Sequence, residues 1–345
     1  MKSKSIAGIF ITDTHLDELN SENVYNIFKQ TVDLCKEKGV EEFFHLGDIF
    51  NSRISQKLST LLSFQRIITL LEDNGITMHV IPGNHDKTDQ SSTNSYLDIY
   101  RSENLIVTNS YSFVDLNGVR LISIPFFTED IYKDYLLKAS KILSPKLHNV
   151  LGTHIGIHGV LNNNNSEVEN KITQSDFKQF DKVLIGHYHN ATQVSKKISY
   201  IGSTDPRNFG EDDKKGALIL YSDLSVENYK FKFKTYKKVR LDIFEGYEVE
   251  KISNELALQL EDSNIQIEFV GSDEDLIKID SKVLESKGFK VSKKTVSSLK
   301  MFEEIEEGVK HSLNLSNESL MSELKLYCKE NKIKETKLNK IIKYL

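Results

Sequence analysis

From residue 5 to about residue 190, short apolar runs alternate with longer stretches whose apolar residues recur every three or four positions. Ile6 to Ile11, Phe43 to Leu46 and Ile76 to Ile81 have the length and composition of buried strands. Between the first two, Val24, Ile27, Phe28, Thr31, Leu34 and Cys35 share one face of a helix that Lys36, Lys38 and Gly39 close. Leu58 to Leu71 repeats the pattern and stops at Asn74-Gly75. Each strand–helix–strand unit has the roughly 30 residues that a parallel crossover needs. Parallel strands place their carboxyl ends on one edge, where open α/β sheets bind ligands. From Arg120 the apolar runs come closer together: Arg120 to Ile124, Val150 to Thr153, Val183 to Ile185, Ile198 to Ile201, Ala217 to Tyr221 and Tyr229 to Thr235. This spacing predicts a second, more antiparallel sheet packed on the first. The expected fold is α/β, a two-sheet βα sandwich flanked by helices.

After about Lys238 the texture changes. Val239 to Phe244, a helical stretch Glu250 to Glu261, the strand Ile265 to Val270, a helix Asp273 to Lys287 and Phe289 to Val291 make a compact, acidic αβ unit. Ser292 to Ser298 is polar and serine-rich, as a linker is, and only helical patterns follow: Leu299 to Leu313, Glu318 to Lys329 and Thr336 to Leu345. The expected domains are therefore residues 1–237, a catalytic α/β domain; 238–291, a small αβ cap; and 292–345, a linker with a helical C-terminal tail. The lysine-flanked stripe Leu338, Ile341, Ile342 and Leu345 suits docking on a partner or covering the protein's own surface equally well. Lys230-Phe231-Lys232-Phe233-Lys234 reads first as a half-buried strand whose lysines guard an edge.

Composition narrows the class. A chain of 345 residues exceeds one comfortable core, which agrees with a main domain and an appendage. A formal net charge of -5 gives no global basic footprint, so contact with nucleic acid depends on a local patch or on bound metals. Cys35 and Cys328 lie far apart among apolar neighbours, which favours buried thiols in a reducing compartment. No run reaches membrane-spanning length, and the apolar run after Lys2 and Lys4 is too short for a signal peptide. The expectation is a cytoplasmic protein, in host cytoplasm if phage-encoded, with no membrane contact.

The strand ends carry the chemistry. Asp13-Thr14-His15, Gly47-Asp48, Gly83-Asn84-His85-Asp86, His154 and Gly186-His187-Tyr188-His189 each follow an apolar run, so five ends deliver carboxylates, an amide and imidazoles to one edge of a sheet. That donor mixture suits Mn, Fe or Zn better than an all-oxygen cage does. The candidates Asp13, His15, Asp48, Asn84, His154, His187 and His189 are too many for one tetrahedral ion and suit two ions sharing a carboxylate. Two ions ~3.5–4 Å apart can generate a hydroxide nucleophile and stabilise a leaving oxygen. Gly47, Gly83 and Gly186 are expected to permit the tight turns at these ends. His158 follows His154 by four and could replace it; nearness to the strand end favours His154. His45, His79, His148 and His311 lie outside the blocks and read as surface or satisfied core residues.

The five blocks, in this order, resemble the signature of the calcineurin-like metallophosphoesterases over roughly residues 5 to 235. The resemblance implies a first metal on Asp13, His15, Asp48 and His189, and a second on Asp48, Asn84, His154 and His187. It implies catalytic roles for Asn84 and for His85, which would contact phosphate and serve the leaving group, with Asp86 supporting His85. Two divalent ions are implied, Mn first, with Mg, Fe or Zn as alternatives.

Outside those blocks, Gly47-Asp48-Ile49-Phe50-Asn51-Ser52-Arg53 and Gly202-Ser203-Thr204 leading to Arg207-Asn208-Phe209-Gly210-Glu211 resemble the nuclease subunit of SbcCD-type double-strand-break repair complexes and their phage counterparts. Asn51 stands where Asp is frequent, and Ser203-Thr204-Asp205 replaces the usual Ser-Pro start. This implies a metal-dependent DNA exonuclease or endonuclease whose partners are DNA and an SMC-like coiled-coil ATPase docked on the C-terminal helices, and it is compatible with a homodimer. The alternative is a phosphatase or cyclic-nucleotide phosphodiesterase of the same fold, disfavoured because Phe50-Asn51-Ser52-Arg53 occupies the place of the protein-phosphatase block. A non-catalytic scaffold ranks last, since no ligand of the set is missing.

Overall fold

The computed structural model describes residues 4–100, 102–161, 166–212, 214–243, 249–261 and 263–295. The chain divides after Phe233 into two compact units.

The first unit runs β1 (Ile6–Ile11), α1 (Ser21–Lys38), β2 (Glu42–His45), α2 (Leu58–Asn74), β3 (Thr77–Val80), β4 (Leu105–Val107), β5 (Ser112–Leu116), β6 (Val119–Ile124), α3 (Glu129–Ser140), β7 (His148–His154), β8 (Lys182–Gly186), β9 (Thr192–Gln193), β10 (Ile198–Tyr200), β11 (Gly216–Tyr221) and β12 (Val226–Lys230). Its strands form two six-stranded sheets, ordered β12-β11-β1-β2-β3-β4 and β5-β6-β7-β8-β10-β9. Alternation along the strands explains the layering. Phe10, Phe44, Leu121, Val150, Leu184, Leu218 and Leu220 meet in one buried cluster drawn from both sheets. Their neighbours Ile9, Ile11 and Ile219 pack with Ile27, Phe28, Phe64 and Ile67 of α1 and α2. Leu151, Val183 and Ile185 pack with Tyr132 and Leu136 of α3. Each inner strand is thus buried on both faces, which is why it reads as a continuous apolar run. The α/β two-sheet sandwich is as expected, and both early helices end at the expected left-handed glycines, Gly39 and Gly75.

Three details differ. The second sheet is mainly parallel, with β6, β7, β8 and β10 in parallel register and only its edge strands β5 and β9 antiparallel. The close spacing of the apolar runs points to antiparallel pairing, but α3 and the loop after β7 supply crossovers whose periodicity is too weak to read. Ala217 to Tyr221 belongs to the first sheet, antiparallel to β1. Tyr229 to Thr235 is not one strand: pairing ends at Lys230, and Phe231 turns into the core of the first unit.

The second unit contains β13 (Thr235–Asp242), α4 (Val249–Ala257), β14 (Ser263–Gly271), α5 (Asp273–Ile277), α6 (Ser281–Ser286) and β15 (Lys290–Thr295). Its strands form a parallel sheet, β13-β14-β15, around Ile265, Ile267, Phe269, Leu276 and Leu284. The helix expected over Asp273 to Lys287 is split, because Asp280 caps a new start by accepting from the amides of Lys282 and Val283. β15 runs on to Thr295, so the first residues expected in the linker are laddered to β14. The helices expected beyond Leu299, and Cys328, lie outside the described residues. Cys35 is buried with a free thiol, which burial pushes up to about 12. Among the described residues no helix is long and apolar enough to cross a membrane.

Candidate metal centre

The donors come from the carboxyl ends of β1, β2 and β3 in one sheet and of β7 and β8 in the other, so the site lies where two sheets converge rather than on one sheet's edge. The loops leave their strands abruptly. Asp13, His15, Asp48 and His187 all have positive φ, at 55°, 44°, 58° and 99°. Such backbone costs ~1–3 kcal/mol per residue and persists where surrounding bonds impose it. Those bonds are the amide of Asp13 to the Gly47 carbonyl and that of His15 to the Asp48 carbonyl, both 3.0 Å. Gly83 is required by a close approach rather than by a turn, since a Cβ there would sit 2.2 Å from Asp48 Oδ1.

Donor atoms gather in overlapping groups: Asp13, His15 and His189; His15, Asp48 and His85; and Asp48, His154 and His187. Asp48 is common to the last two, and its Oδ2 lies 3.7 Å from His15 Nε2 and 3.3 Å from His154 Nε2. Its Oδ1 accepts the backbone N–H of His85 at 2.8 Å. Asp13 Oδ2 accepts from Thr12 Oγ1 and from the His187 amide at 2.8 and 2.9 Å, whereas its Oδ1 is buried without a hydrogen-bond partner. An orphaned carboxylate oxygen beside an imidazole pair, His15 Nε2 and His189 Nε2 at 3.1 Å, is what a bound cation would satisfy. The donor set therefore fits a dinuclear centre.

Electrostatics agree. Burial would raise the Asp13 and Asp48 carboxyls, yet the neighbouring imidazoles of His15 and His154 hold Asp13 well below the usual range, and the charge and hydrogen bonding of His154 do the same for Asp48. Burial opposes a charge on His154, but Asp48 and Asp13 pull it up to about 9. Its Nδ1 donates to the Leu46 carbonyl at 2.6 Å, which leaves Nε2 facing the acids. His187 is pushed down to about 3 by burial and by His154, so its imidazole is neutral. With its amide oxygen inward, Asn84 lies 2.9 Å from His187 Nδ1 and 3.2 Å from His154 Nε2. Turned over, its nitrogen donates to both rings and its oxygen accepts from Arg53 at 2.6 and 3.1 Å. Only the first orientation offers oxygen to a cation.

His85 is half-buried at the rim, where Nδ1 donates to the Asn51 carbonyl at 2.5 Å and Arg53 Nη2 lies 3.1 Å from Nε2. The sequence resemblance implies that Asp86 supports His85; in the structure Asp86 accepts instead from the amides of Asp48, Ile49, Phe50 and Gly83, at 2.8 to 3.3 Å. It is the clasp between two ligand loops. His158 is exposed and outside the groups, accepting from the Asn170 amide. His45 is a satisfied core residue: Nδ1 accepts from the Gly47 amide at 3.2 Å, and Nε2 lies 3.1 Å from Thr14 Oγ1.

Residues missed as site members stand behind these. Arg53 Nη2 reaches His85 Nε2, and Arg207 Nη2 donates to the carbonyls of Thr14 and His15. Glu211 accepts from His189 Nδ1 at 2.9 Å, and its carboxyl is lowered, against burial, by His189 and Lys215. Both stretches were visible as motifs, but 22 residues separate His189 from Glu211 and no periodicity links them.

A family model described as calcineurin-like phosphoesterase matches residues 9–191, more than half of the chain. The chain belongs to this family. Its donor set fits two metal ions. Among curated relatives, exonuclease subunit 1 of Enterobacteria phage T4 is 26% identical over 196 residues, 52% of this chain and 55% of that protein. The DNA double-strand break repair protein Mre11 of Saccharolobus solfataricus is 27% identical over 210 residues, 57% and 54% of the two chains. Mre11 of Sulfolobus acidocaldarius is 26% identical over 244 residues, 64% and 62%. The chain spans between about half and two thirds of the length of these relatives.

Proposed function

We propose that this phosphoesterase is a metal-dependent DNA nuclease that hydrolyses phosphodiester bonds, working with a coiled-coil ATPase of the SMC type. The observation that carries the reading is a single carboxylate oxygen, Asp48 Oδ2, set between two groups of donors, with His85 and Arg53 on the rim. Asp13, His15, Asp48 and His189 would hold one ion, and Asp48, Asn84, His154 and His187 the other. When bound, two such ions supply Lewis acidity and an activated water at neutral pH. The chain's own groups do the rest. Arg53 pairs with a non-bridging phosphate oxygen, since a guanidinium suits that geometry. Once the phosphate has drawn Arg53 from its Nε2, His85 takes up there a proton released by the attacking water and passes it to the departing sugar oxygen.

The DNA substrate is supported by the names of the relatives, an exonuclease and break-repair proteins. With a net charge of -5, affinity for DNA falls to the ions, to local patches and to the ATPase. Imidazole–carboxylate coordination makes manganese the first ion to try.

The test is cleavage of linear duplex DNA with Mn, Mg and Zn compared, with and without a coiled-coil ATPase of that type. Manganese-dependent cleavage is expected, and His85→Ala should lower it at least ~100-fold with ion binding intact. Turnover of small phosphoesters with no action on DNA under any of these conditions would replace this reading by a phosphatase or cyclic-nucleotide phosphodiesterase.

A further inference from the structure

Resting on the dinuclear reading above, we infer that Glu211 is the positioning residue of one ion site: it fixes His189 through Nδ1 so that Nε2 serves as ligand, and Arg207 and Lys215 hold it there. A carboxylate only accepts hydrogen bonds, so at 2.9 Å from Glu211 Oε1 the His189 Nδ1 must carry the proton. His189 Nε2 is thereby the nitrogen turned to the donor group, 3.1 Å from His15 Nε2 and beside Asp13.

Glu211 is itself immobilised. Oε1 also accepts from Asn208 Nδ2 at 3.0 Å, while Oε2 accepts from the Arg207 amide at 3.2 Å and lies 3.1 Å from Lys215 Nζ. Side-chain exposure is 4% for Glu211 and 0% for Lys215, so this ion pair is shielded from solvent. The same segment grips the backbone: Lys215 Nζ and the Ser203 amide both donate to the His189 carbonyl, at 2.5 and 3.0 Å. Arg207 extends the grip to the other histidine of this ion, donating to the His15 carbonyl at 2.5 Å.

The second ion's His154 leans on a neutral partner, the Leu46 carbonyl. A charged carboxylate behind an imidazole makes it a more basic ligand and fixes its tautomer. The two sites are thus unequal, and Glu211 governs the one on Asp13, His15 and His189 alone.

The experiment is a manganese titration of the full chain by calorimetry, with electron paramagnetic resonance to read the exchange coupling of an ion pair. Wild type should take two ions, whereas Glu211→Gln should bind one ion ~10- to 100-fold more weakly with the other unchanged. At manganese levels that fill both wild-type sites, the coupled signal should give way to that of a single ion. The unchanged ion shows that the variant is folded. If Glu211→Gln does not fold, Glu211→Asp, whose shorter arm withdraws the carboxylate from Nδ1, should show the same selective loss. A variant that binds both ions as wild type does, or weakens both equally, would overturn the inference. Wild type taking fewer than two ions would overturn the dinuclear reading instead.

Discussion

Asp48 divides its labour by atom: Oδ1 holds the backbone of His85, and Oδ2 faces both groups of imidazoles. Arg53 stands opposite, an exposed guanidinium whose Nη2 lies against His85 Nε2, with no acid of its own among its described contacts. A charge-assisted contact to phosphate is worth ~1.5–3 kcal/mol, so Arg53→Ala should lower kcat/KM for a phosphodiester roughly 10- to 100-fold. Steady-state kinetics on a fluorescent diester, beside an ion titration that should not change, checks this. His45 belongs to the frame. Burial pushes its imidazole down to about 3 from an ordinary 6.5, so the unfolded chain takes up its proton first. Its contribution to stability is complete above pH 6.5 and is lost as pH falls towards 3, by about 1.4 kcal/mol per unit within that window. In EDTA, His45→Gln should therefore flatten the dependence of the urea midpoint on pH between 6.5 and 3 relative to wild type. An unchanged slope would show that His45 is not buried neutral.

At the scale of elements, the centre is made by loops that leave strands early and are tied to one another. The loop after β3 reaches that after β2 through Asp86, which takes one amide of its own loop and three of its neighbour's. An asparagine there keeps the shape but exchanges one acceptor oxygen for a donor pointed at N–H groups. Asp86→Asn should cost ~1–3 kcal/mol in chemical denaturation and weaken ion binding, whereas an exposed carboxylate such as Asp130 changed to Asn should do neither. This tie was hidden in the sequence for a physical reason. Asp86 adjoins His85, and adjacency invites pairing of the two side chains, yet the turn from Gly83 to Asp86 sends Asp86 inward and His85 to the rim. The strands and α1 and α2 were legible because their periodicity is local. α3, β4 and β5 were not, because short or weakly amphipathic segments take their form from what they pack against.

At the scale of the molecule, the described donors and the cores that support them all lie before Phe233. A chain ended there should melt cooperatively and bind manganese as the full chain does, checked by circular dichroism and calorimetry; loss of the ions would place part of the centre in the second unit. The sequence by itself determined which donors stand at the strand ends, the two early crossovers and the sandwich, since residue type and local period are properties of neighbouring positions. Only the tertiary structure decided that β11 returns to pair with β1, that the second sheet is mainly parallel, and that both sheets contribute donors. It also decided the pairings behind the ligands. His15 meets His189 across 174 positions, and Arg207 meets the His15 carbonyl across 192. Contacts that distant depend on how strands and loops close in space, and no period along the chain encodes them.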